Sequence, residues 1–431
     1  MISSDDEFGA YVCDRLNEVG QPLWGRSKHV DLFDALQDFK QPLVDARAWK
    51  ISHLAISPTL DCNLNCTYCY NYMESQPEEV RSLPKLDKTG IRRILDFLSQ
   101  VPLEPHLSIS FIGGEPLLRP AHLDALIRLT KTHIRKSNKT ASYLVTTNGI
   151  NLGTEKVRKL ILRHGLVVSI SIDGPEEWHN STRKLPNGEG SYSTLSRSIE
   201  RFFSYYHSDV RSARATVKLL PGRILNTYRH LLDIGFNDIA MGTPDFEDCP
   251  LDEVRLKELV SEVRELASVV EGDFLSGRLL RHSWFTDVIT SLYYGHAKQI
   301  VCGATRNHLA FDVYGRTQAC HRYLGNTEYS INLQDLRNRS ISPLISEITK
   351  PGKTAGCSTC WARGLCGGEC FHIGKELRKT EDYARRQTYI CDCKRAVFEA
   401  AVEMYVRLWT VDPGLVQEKL VANRSYEAAF A

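Results

Sequence analysis

An α/β fold, with a parallel sheet curved into part of a (β/α) barrel and helices outside it, is the class this sequence predicts. Three observations carry the expectation. Six short β-rich runs alternate with stretches of helical periodicity between residues 53 and 245. The chain of 431 residues exceeds what one hydrophobic core usually supports, so one large domain and at least one smaller one are expected. Chemically unusual residues also fall in the loops after the runs, where parallel α/β sheets carry their functional groups.

The strands are expected at 53–60, 106–112, 142–147, 167–172, 211–219 and 238–242. The first connecting segment, 85–101, sets Ile91, Ile94, Leu95 and Leu98 on one helical face. Four of the loops stand out. Cys62, Cys66 and Cys69 follow the first strand, and Gly113-Gly114-Glu115-Pro116 follow the second. Thr147-Asn148-Gly149 close the third, and Asp173-Gly174-Pro175 the fourth. On one rim of a sheet they would build one site.

The pattern changes beyond a charged helical stretch at 251–277. A second helix-like stretch, 283–299, leads to Cys302, then a hairpin of 308–313 and 317–323 turning at Tyr314-Gly315. A cysteine-dense, loop-rich region runs to Cys393 and a closing helix spans 394–409. The expected division is an N-terminal extension, 1–50, without strand pattern; a main domain, 51–277; and a second domain, 278–431, with little core of its own.

Composition bounds the function classes. Lys+Arg 54 against Asp+Glu 52 leaves no electrostatic argument for nucleic acid or a membrane surface. The opening residues lack a basic segment followed by an apolar core, and nowhere do about 18 apolar residues run uninterrupted. A cytoplasmic protein with no membrane span is expected. In that compartment thiols stay reduced, so 13 cysteines read as metal ligands or chemistry rather than a disulfide framework. Three thiolates spaced C-x3-C-x2-C can hold three corners of a 4Fe–4S cube and leave the fourth iron open. The alternative is structural zinc, which prefers four ligands in paired arrangements, and no obvious fourth stands nearby.

With Tyr68 as the aromatic residue before the last cysteine, this triplet resembles that of the radical S-adenosylmethionine (SAM) enzyme family. Gly113 to Pro116 resembles the family's GGEP, whose backbone and carboxylate receive the SAM ammonium. Ser171-Ile-Asp173-Gly-Pro, followed by His179 and Arg183, resembles a segment whose serine and arginine approach the ribose and carboxylate of SAM. For Arg183 the alternative is a solvated surface arginine. Asn148 has two readings, contact with SAM or a cap on the turn with Gly149. The resemblance thus implies a SAM site of Tyr68, Gly113, Gly114, Glu115, Asn148, Ser171, Asp173 and Arg183.

Cys302, Gly315, Cys320, Cys357, Cys360, Cys366, Cys370 and Cys391 are similar to the seven-cysteine SPASM pattern, which carries two auxiliary 4Fe–4S clusters. A partial (β/α)6 TIM-like barrel with a C-terminal SPASM domain is the implied fold, with three 4Fe–4S clusters in all. By resemblance Cys302, Cys320 and Cys370 ligate the first auxiliary cluster, and Cys357, Cys360, Cys366 and Cys391 the second. Cys393 competes with Cys391 for the last place. A four-thiolate zinc knot is the alternative for Cys357, Cys360, Cys366 and Cys370. Cys13, Cys249 and Cys393 otherwise read as small buried hydrophobes.

The runs around Cys320 and from Cys357 to Cys370 resemble maturases of ribosomally made peptides, including those that install thioether cross-links. SAM would supply a 5'-deoxyadenosyl radical, and the auxiliary clusters would take an electron from the substrate. The implied partners are a precursor peptide and a flavodoxin or ferredoxin reductant. The stretch before the first strand is too short for the leader-binding module of many relatives, so a separate leader-binding protein, or recognition by the barrel and SPASM surfaces, is a further expectation.

Oxidative cross-linking is the leading reading, with splicease-type backbone excision beside it. Sulfatase-maturing members carry an aspartate base after the hairpin cysteine, where this chain has His321. That histidine reads either as a base or as a hydrogen-bonding neighbour of the cluster. A non-catalytic iron-sulfur or zinc protein is the alternative of another class.

Overall fold

The computed structural model describes residues 50–70, 85–243, 252–293, 298, 301–304, 307–334, 357, 360–377, 381, 383–411 and 414. The extension expected before the first strand lies outside them, as do Cys13 and Cys249. Packing divides the chain into two compact units. One takes residues 46–215 and 303–346, the other 216–302 and 347–424, each with a terminal piece.

The first unit is built in chain order from β1 (Ile51–Ile56), β2 (Asn65–Cys66), α1 (Lys88–Leu98), β3 (Leu103–Phe111), α2 (Pro120–Lys136) and β4 (Thr140–Thr147). It continues with α3 (Glu155–His164), β5 (Val167–Ser171), α4 (Glu176–Thr182), β6 (Arg183–Lys184), α5 (Tyr192–Tyr205) and β7 (Ser212–Thr216). Strands β1, β3, β4, β5 and β7 lie side by side and parallel. Local chemistry sets the helix ends: Asp87 caps α1 by accepting from the Gly90 N–H at 2.7 Å, and α3 stops at Gly165 with φ 61°.

One sheet face is apolar. Leu54, Ile56, Ile109, Phe111, Tyr143, Val145, Val168 and Ile170 are all buried. The Thr130 hydroxyl of α2 lies 3.2 Å from that of Tyr143, and Phe97 of α1 meets Phe311 edge-on at 5.2 Å, so this face carries the helices. A fully buried Leu, Ile or Phe contributes about 1.5–3 kcal/mol, enough in sum to hold helices to sheet.

The second unit contains α6 (Arg223–Ile234), β8 (Asp238–Gly242), α7 (Glu253–Leu275), β9 (Arg281–His282) and α8 (Ser283–Tyr293). All six expected strands are therefore present. The chain then returns to the first unit, where β10 (His308–Phe311) pairs parallel with β1 and β11 (Thr317–Gln318) pairs antiparallel with β10. The hairpin is as expected, but it extends the main sheet rather than opening a second domain. Its turn needs glycine twice over: Gly315 has φ 71°, and a side chain there would run into the Gly90 carbonyl oxygen of α1.

The rest of the second unit comprises α9 (Arg363–Cys366), α10 (Phe371–Leu377) and α11 (Tyr383–Val411). The closing helix begins eleven residues before the expected position 394, so Cys391 and Cys393 sit on it. This unit also has the core that was not expected of the C-terminal region. Leu259, Val263, Leu266 and Val270 of α7 are buried, as are Phe285 and Ile289 of α8 and Ala401, Met404 and Tyr405 of α11. Ion pairs Arg264–Glu399 and Arg407–Glu271 flank α7 and α11. Among the described residues no helix is long and apolar enough to cross a membrane.

Candidate active site

The four unusual loops of the first unit meet. Cys66 stands opposite Arg183 in the two-stranded β2–β6 ladder, which ties the cysteine loop to the segment after β5. Glu115 and Asn148 bring in the other two loops.

The Gly113-Gly114 turn lies directly on the chain leading to the cysteines. A side chain on Gly114 would meet the carbonyl oxygens of Leu60 and Asp61, and one on Gly113 would meet Ser57 and Thr59. The backbone of the turn is pinned there by bonds from Gly114 N–H to Thr59 C=O, 3.0 Å, and from Glu115 N–H to Asp61 C=O, 2.7 Å. The glycines thus serve close backbone approach.

Glu115 is 1% exposed and uses both oxygens inside the protein. One accepts from the Leu117 N–H at 2.9 Å and the Thr147 hydroxyl at 2.8 Å; the other accepts from the Asn148 N–H at 2.7 Å. Burial pushes its carboxyl up from 4.5 to about 6, against the pull of these bonds. A raised folded-state pKa on an acid means proton uptake on folding, so this group's contribution to stability falls as pH rises from about 4.5 to about 6. All three partners donate. Glu115→Gln therefore sets an amide N–H against the Asn148 N–H and is expected to cost about 1–3 kcal/mol, read as a lowered denaturation midpoint. An unchanged midpoint would show that the carboxylate is not the tie between these loops.

Asn148 caps its turn, its Oδ1 accepting from the Ile150 N–H at 3.1 Å. Its Nδ2 also donates to Asn63 Oδ1 at 2.7 Å and reaches Cys62 Sγ at 3.7 Å. The Leu64 N–H donates to the same sulfur at 3.4 Å. Burial pushes the Cys62 thiol up to about 12, with the Glu115 carboxylate and the Cys66 and Cys69 thiols raising it further. A desolvated thiol such as that of Cys62 or Cys66 is a poor anion by itself and a good ligand for iron, which supplies the missing positive charge. A cube gives each thiolate its own iron, whereas zinc draws its ligands to one point. The donor set fits a 4Fe–4S cluster.

Asp173 is the hub of the fourth loop. Its Oδ2 accepts from the Tyr68 hydroxyl at 2.7 Å, Arg183 Nε at 2.9 Å and the Thr182 hydroxyl at 3.1 Å. Arg183 is buried rather than solvated, with its guanidinium carbon 5.5 Å from the Tyr68 ring centre. Its charge opposes the upward push of burial on the Cys66 thiol. Ser171 ends β5, partly buried and in register with Arg214.

Sequence reasoning did not single out the strut behind this loop. Asp173 N–H donates to His179 Nδ1 at 3.3 Å, so the ring proton is on Nε2, which donates to Ser191 Oγ at 3.0 Å. The Ser191 hydroxyl in turn donates to the Arg183 carbonyl at 2.8 Å. His179 thus clamps both ends of the segment that carries Asp173 and Arg183. Its place in the S-x-D-G-P…H…R spacing was the available signal.

The remaining cysteines fall in both units. Cys320 and His321 belong to the first, where the His321 ring lies 6.0 Å from Tyr70 and 6.4 Å from His308. Cys302 and Cys370 belong to the second. Within the second unit burial raises the pKa of Cys391, helped by the charges of Cys366 and Cys357, while Asp392 and Cys360 favour the charged form of Arg395. The turn through this group needs Gly367 and Gly368, with φ 69° and 100°. Cys393 is 8% exposed and sits in the core of the helix packing.

Residues 56–255 match the Radical SAM superfamily model. The chain carries a radical SAM domain, is a radical SAM enzyme using SAM and a 4Fe–4S cluster, and has a cysteine-rich C-terminal region. It is 26% identical over 370 residues to a cysteine-type anaerobic sulfatase-maturating enzyme of Clostridium perfringens, covering 79% of this chain and 93% of that one. It is 21% identical over 383 residues to the radical SAM cyclopropyl synthase TigE of Paramaledivibacter caminithermalis, covering 81% and 74%. The solved structure of native anSMEcpe with bound AdoMet and Cp18Cys peptide superposes with a TM-score of 0.65 at 22% identity, covering 83% of this chain and 98% of that one.

Proposed function

We propose that this enzyme is a peptide maturase acting on a ribosomally made precursor, with oxidative cross-linking as its reaction. SAM, when bound, supplies a 5'-deoxyadenosyl radical able to take an unactivated hydrogen. Cys62, Cys66 and Cys69 would hold the cluster that binds it. The backbone N–H of Leu64, the side-chain amide of Asn148 and the guanidinium of Arg183 would spread the charge on its sulfurs. Glu115 and Asp173 hold the loops of the SAM site in place. Tyr68, Gly113, Gly114, Asn148 and Ser171 complete that site.

The observation that carries an oxidative outcome is the second cysteine group, in which the charges of Cys366 and Cys357 act on Cys391 and that of Cys360 acts on Arg395. Two auxiliary clusters, one on Cys302, Cys320 and Cys370 and the other on Cys357, Cys360, Cys366 and Cys391, would accept the electron that a cross-linking oxidation releases. His321 would serve beside the first. A flavodoxin or ferredoxin reductant, a separate leader-binding protein and a reducing cytoplasm complete the reading.

A second reading, sulfatase maturation, is favoured by the Clostridium perfringens relative and opposed by His321 in place of the aspartate base. Anaerobic co-expression with the short open reading frame beside the gene, followed by mass spectrometry, tests the first. Loss of two hydrogens from that peptide is expected. An unmodified peptide, together with oxidation of a sulfatase-derived peptide by the same enzyme, would transfer the assignment to the second. A large mass loss would instead mark backbone excision.

A further inference from the structure

A strongly basic stretch lies inside this nearly neutral chain. Between residues 119 and 164 ten Lys and Arg stand against two acids, Asp124 and Glu155, while the rest of the chain has 44 Lys and Arg against 50 Asp and Glu. Folding gathers that charge onto one surface, because α2 and α3 are neighbours. Asp124 of α2 accepts from Arg163 Nη1 at 3.0 Å and lies 2.8 Å from His164 Nε2, both in the last turn of α3.

The two acids are taken up locally. Asp124 also meets Arg128 at 3.1 Å, and Glu155 meets Arg158 at 3.1 Å and Lys159 at 3.4 Å. Among the described residues Lys131, Arg135, Lys136 and Lys156 have no carboxylate partner, and the last three are exposed. Leu129 and Leu162 stand out of the same surface, 47% and 52% exposed. Leu129 shares a helical face with Lys136, and Leu162 shares one with Arg158. Apolar contacts inside a charged border are the make-up of a protein-binding surface.

Both helices also start at the cysteine triplet. Arg119, which caps α2, is 2.7 Å from Asp61, the neighbour of Cys62. The loop leading to α3 begins at Asn148, whose amide reaches Cys62 Sγ at 3.7 Å.

We propose that the outer face of α2 and α3 is the docking surface for an acidic flavodoxin, which delivers the electron that SAM cleavage consumes. This rests on the reductant of the proposed function, whatever the peptide. Cleavage of SAM to methionine and the 5'-deoxyadenosyl radical takes up one electron, and the reduced flavin is oxidised by one. Redox encounters of this kind bury little area and are steered by charge. At 1.5 Å per residue α2 alone runs about 25 Å, the width of a small α/β domain of the flavodoxin type. An extended acidic peptide fits less well, since a helix pair offers no unpaired sheet edge. Single-stranded nucleic acid needs aromatic rings to stack on, and neither helix contains Phe, Tyr or Trp.

The test sets two reductants side by side on the anaerobically reconstituted full chain with SAM: a recombinant flavodoxin of net negative charge, kept reduced by its reductase, and dithionite, which needs no docking. Arg135→Glu combined with Lys156→Glu is expected to weaken flavodoxin binding about tenfold or more, and to slow flavodoxin-driven deoxyadenosine formation in step. Iron content and the dithionite-driven rate should stay at the wild-type level. The same reversal at Arg255 and Lys257 of α7, equal in net charge, should leave flavodoxin binding unchanged. If the first reversal also lowers the dithionite rate, Arg135→Gln with Lys156→Gln is read instead, with a loss of about threefold expected. Equal flavodoxin affinity in wild type and patch variant overturns the surface alone. A ferredoxin that binds this patch where flavodoxin does not overturns the choice of occupant. Total tRNA that binds the wild type and is lost in the patch variant, with flavodoxin indifferent, assigns the face to nucleic acid instead. If dithionite supports turnover and neither protein does, the reductant reading falls and the surface with it.

Discussion

Cys62→Ala is expected to abolish formation of 5'-deoxyadenosine from SAM and to remove about four of about twelve iron atoms per chain. The thiol of Cys62 is pushed up to about 12, so it ionises only against a strong cation, and two N–H groups are already aimed at its sulfur. Without that sulfur the cluster keeps two protein thiolates. The two proposed auxiliary clusters would use other cysteines, so about eight irons should remain. Asn148→Ala makes the complementary case: all three thiolates stay but a donor to Cys62 is lost, and a reduction of about ten- to a hundredfold in turnover is expected. Anaerobic reconstitution, iron and sulfide analysis and deoxyadenosine chromatography decide both. A Cys62→Ala protein that still holds twelve irons, or still cleaves SAM, would remove the triplet from the role proposed for it.

Much of this site was legible because its chemistry is carried by short, local signals. The six strands stand out as β-rich runs separated by amphipathic helices, and the loops after four of them carry residues with little reason to sit in ordinary turns. What stayed hidden is non-local. That β10 lies parallel to β1 depends on a pairing across some 250 residues of chain, and parallel pairing leaves no turn signal to mark it. Glu115 was visible as an acid in a glycine turn, but the burial that raises its pKa and its role as a tie came from Thr147 and Asn148, supplied by another loop.

The choice between Cys391 and Cys393 shows the same limit. Two cysteines two residues apart are alike in a loop, whereas on α11 they point in different directions. The charges of other thiols act on Cys391, and Cys393 joins the core. Cys391→Ala should therefore lose about four irons and Cys393→Ala none.

Asp173→Ala is expected to destabilise the first unit by about 3–5 kcal/mol, because it strands an ionised arginine in a buried position. The side chains of Asp173 and Arg183 are 3% and 10% exposed, and their Oδ2–Nε separation is 2.9 Å. Arg183 stays charged, since the attraction of Asp173, Tyr68 and Cys66 outweighs its desolvation. Removing the carboxylate takes away the largest of those attractions and also leaves the Tyr68 and Thr182 hydroxyls without their shared acceptor. A fall in melting temperature of about 10 °C should follow. If the cost comes from the uncompensated charge, a second change that removes the charge should recover part of it. Asp173→Ala combined with Arg183→Met is accordingly expected to melt higher than Asp173→Ala alone, by a coupling of about 1–3 kcal/mol. Strict additivity of the two single changes would mean that Arg183 draws its stability from the Cys66 side of the ladder, and that Asp173 organises only Tyr68 and Thr182.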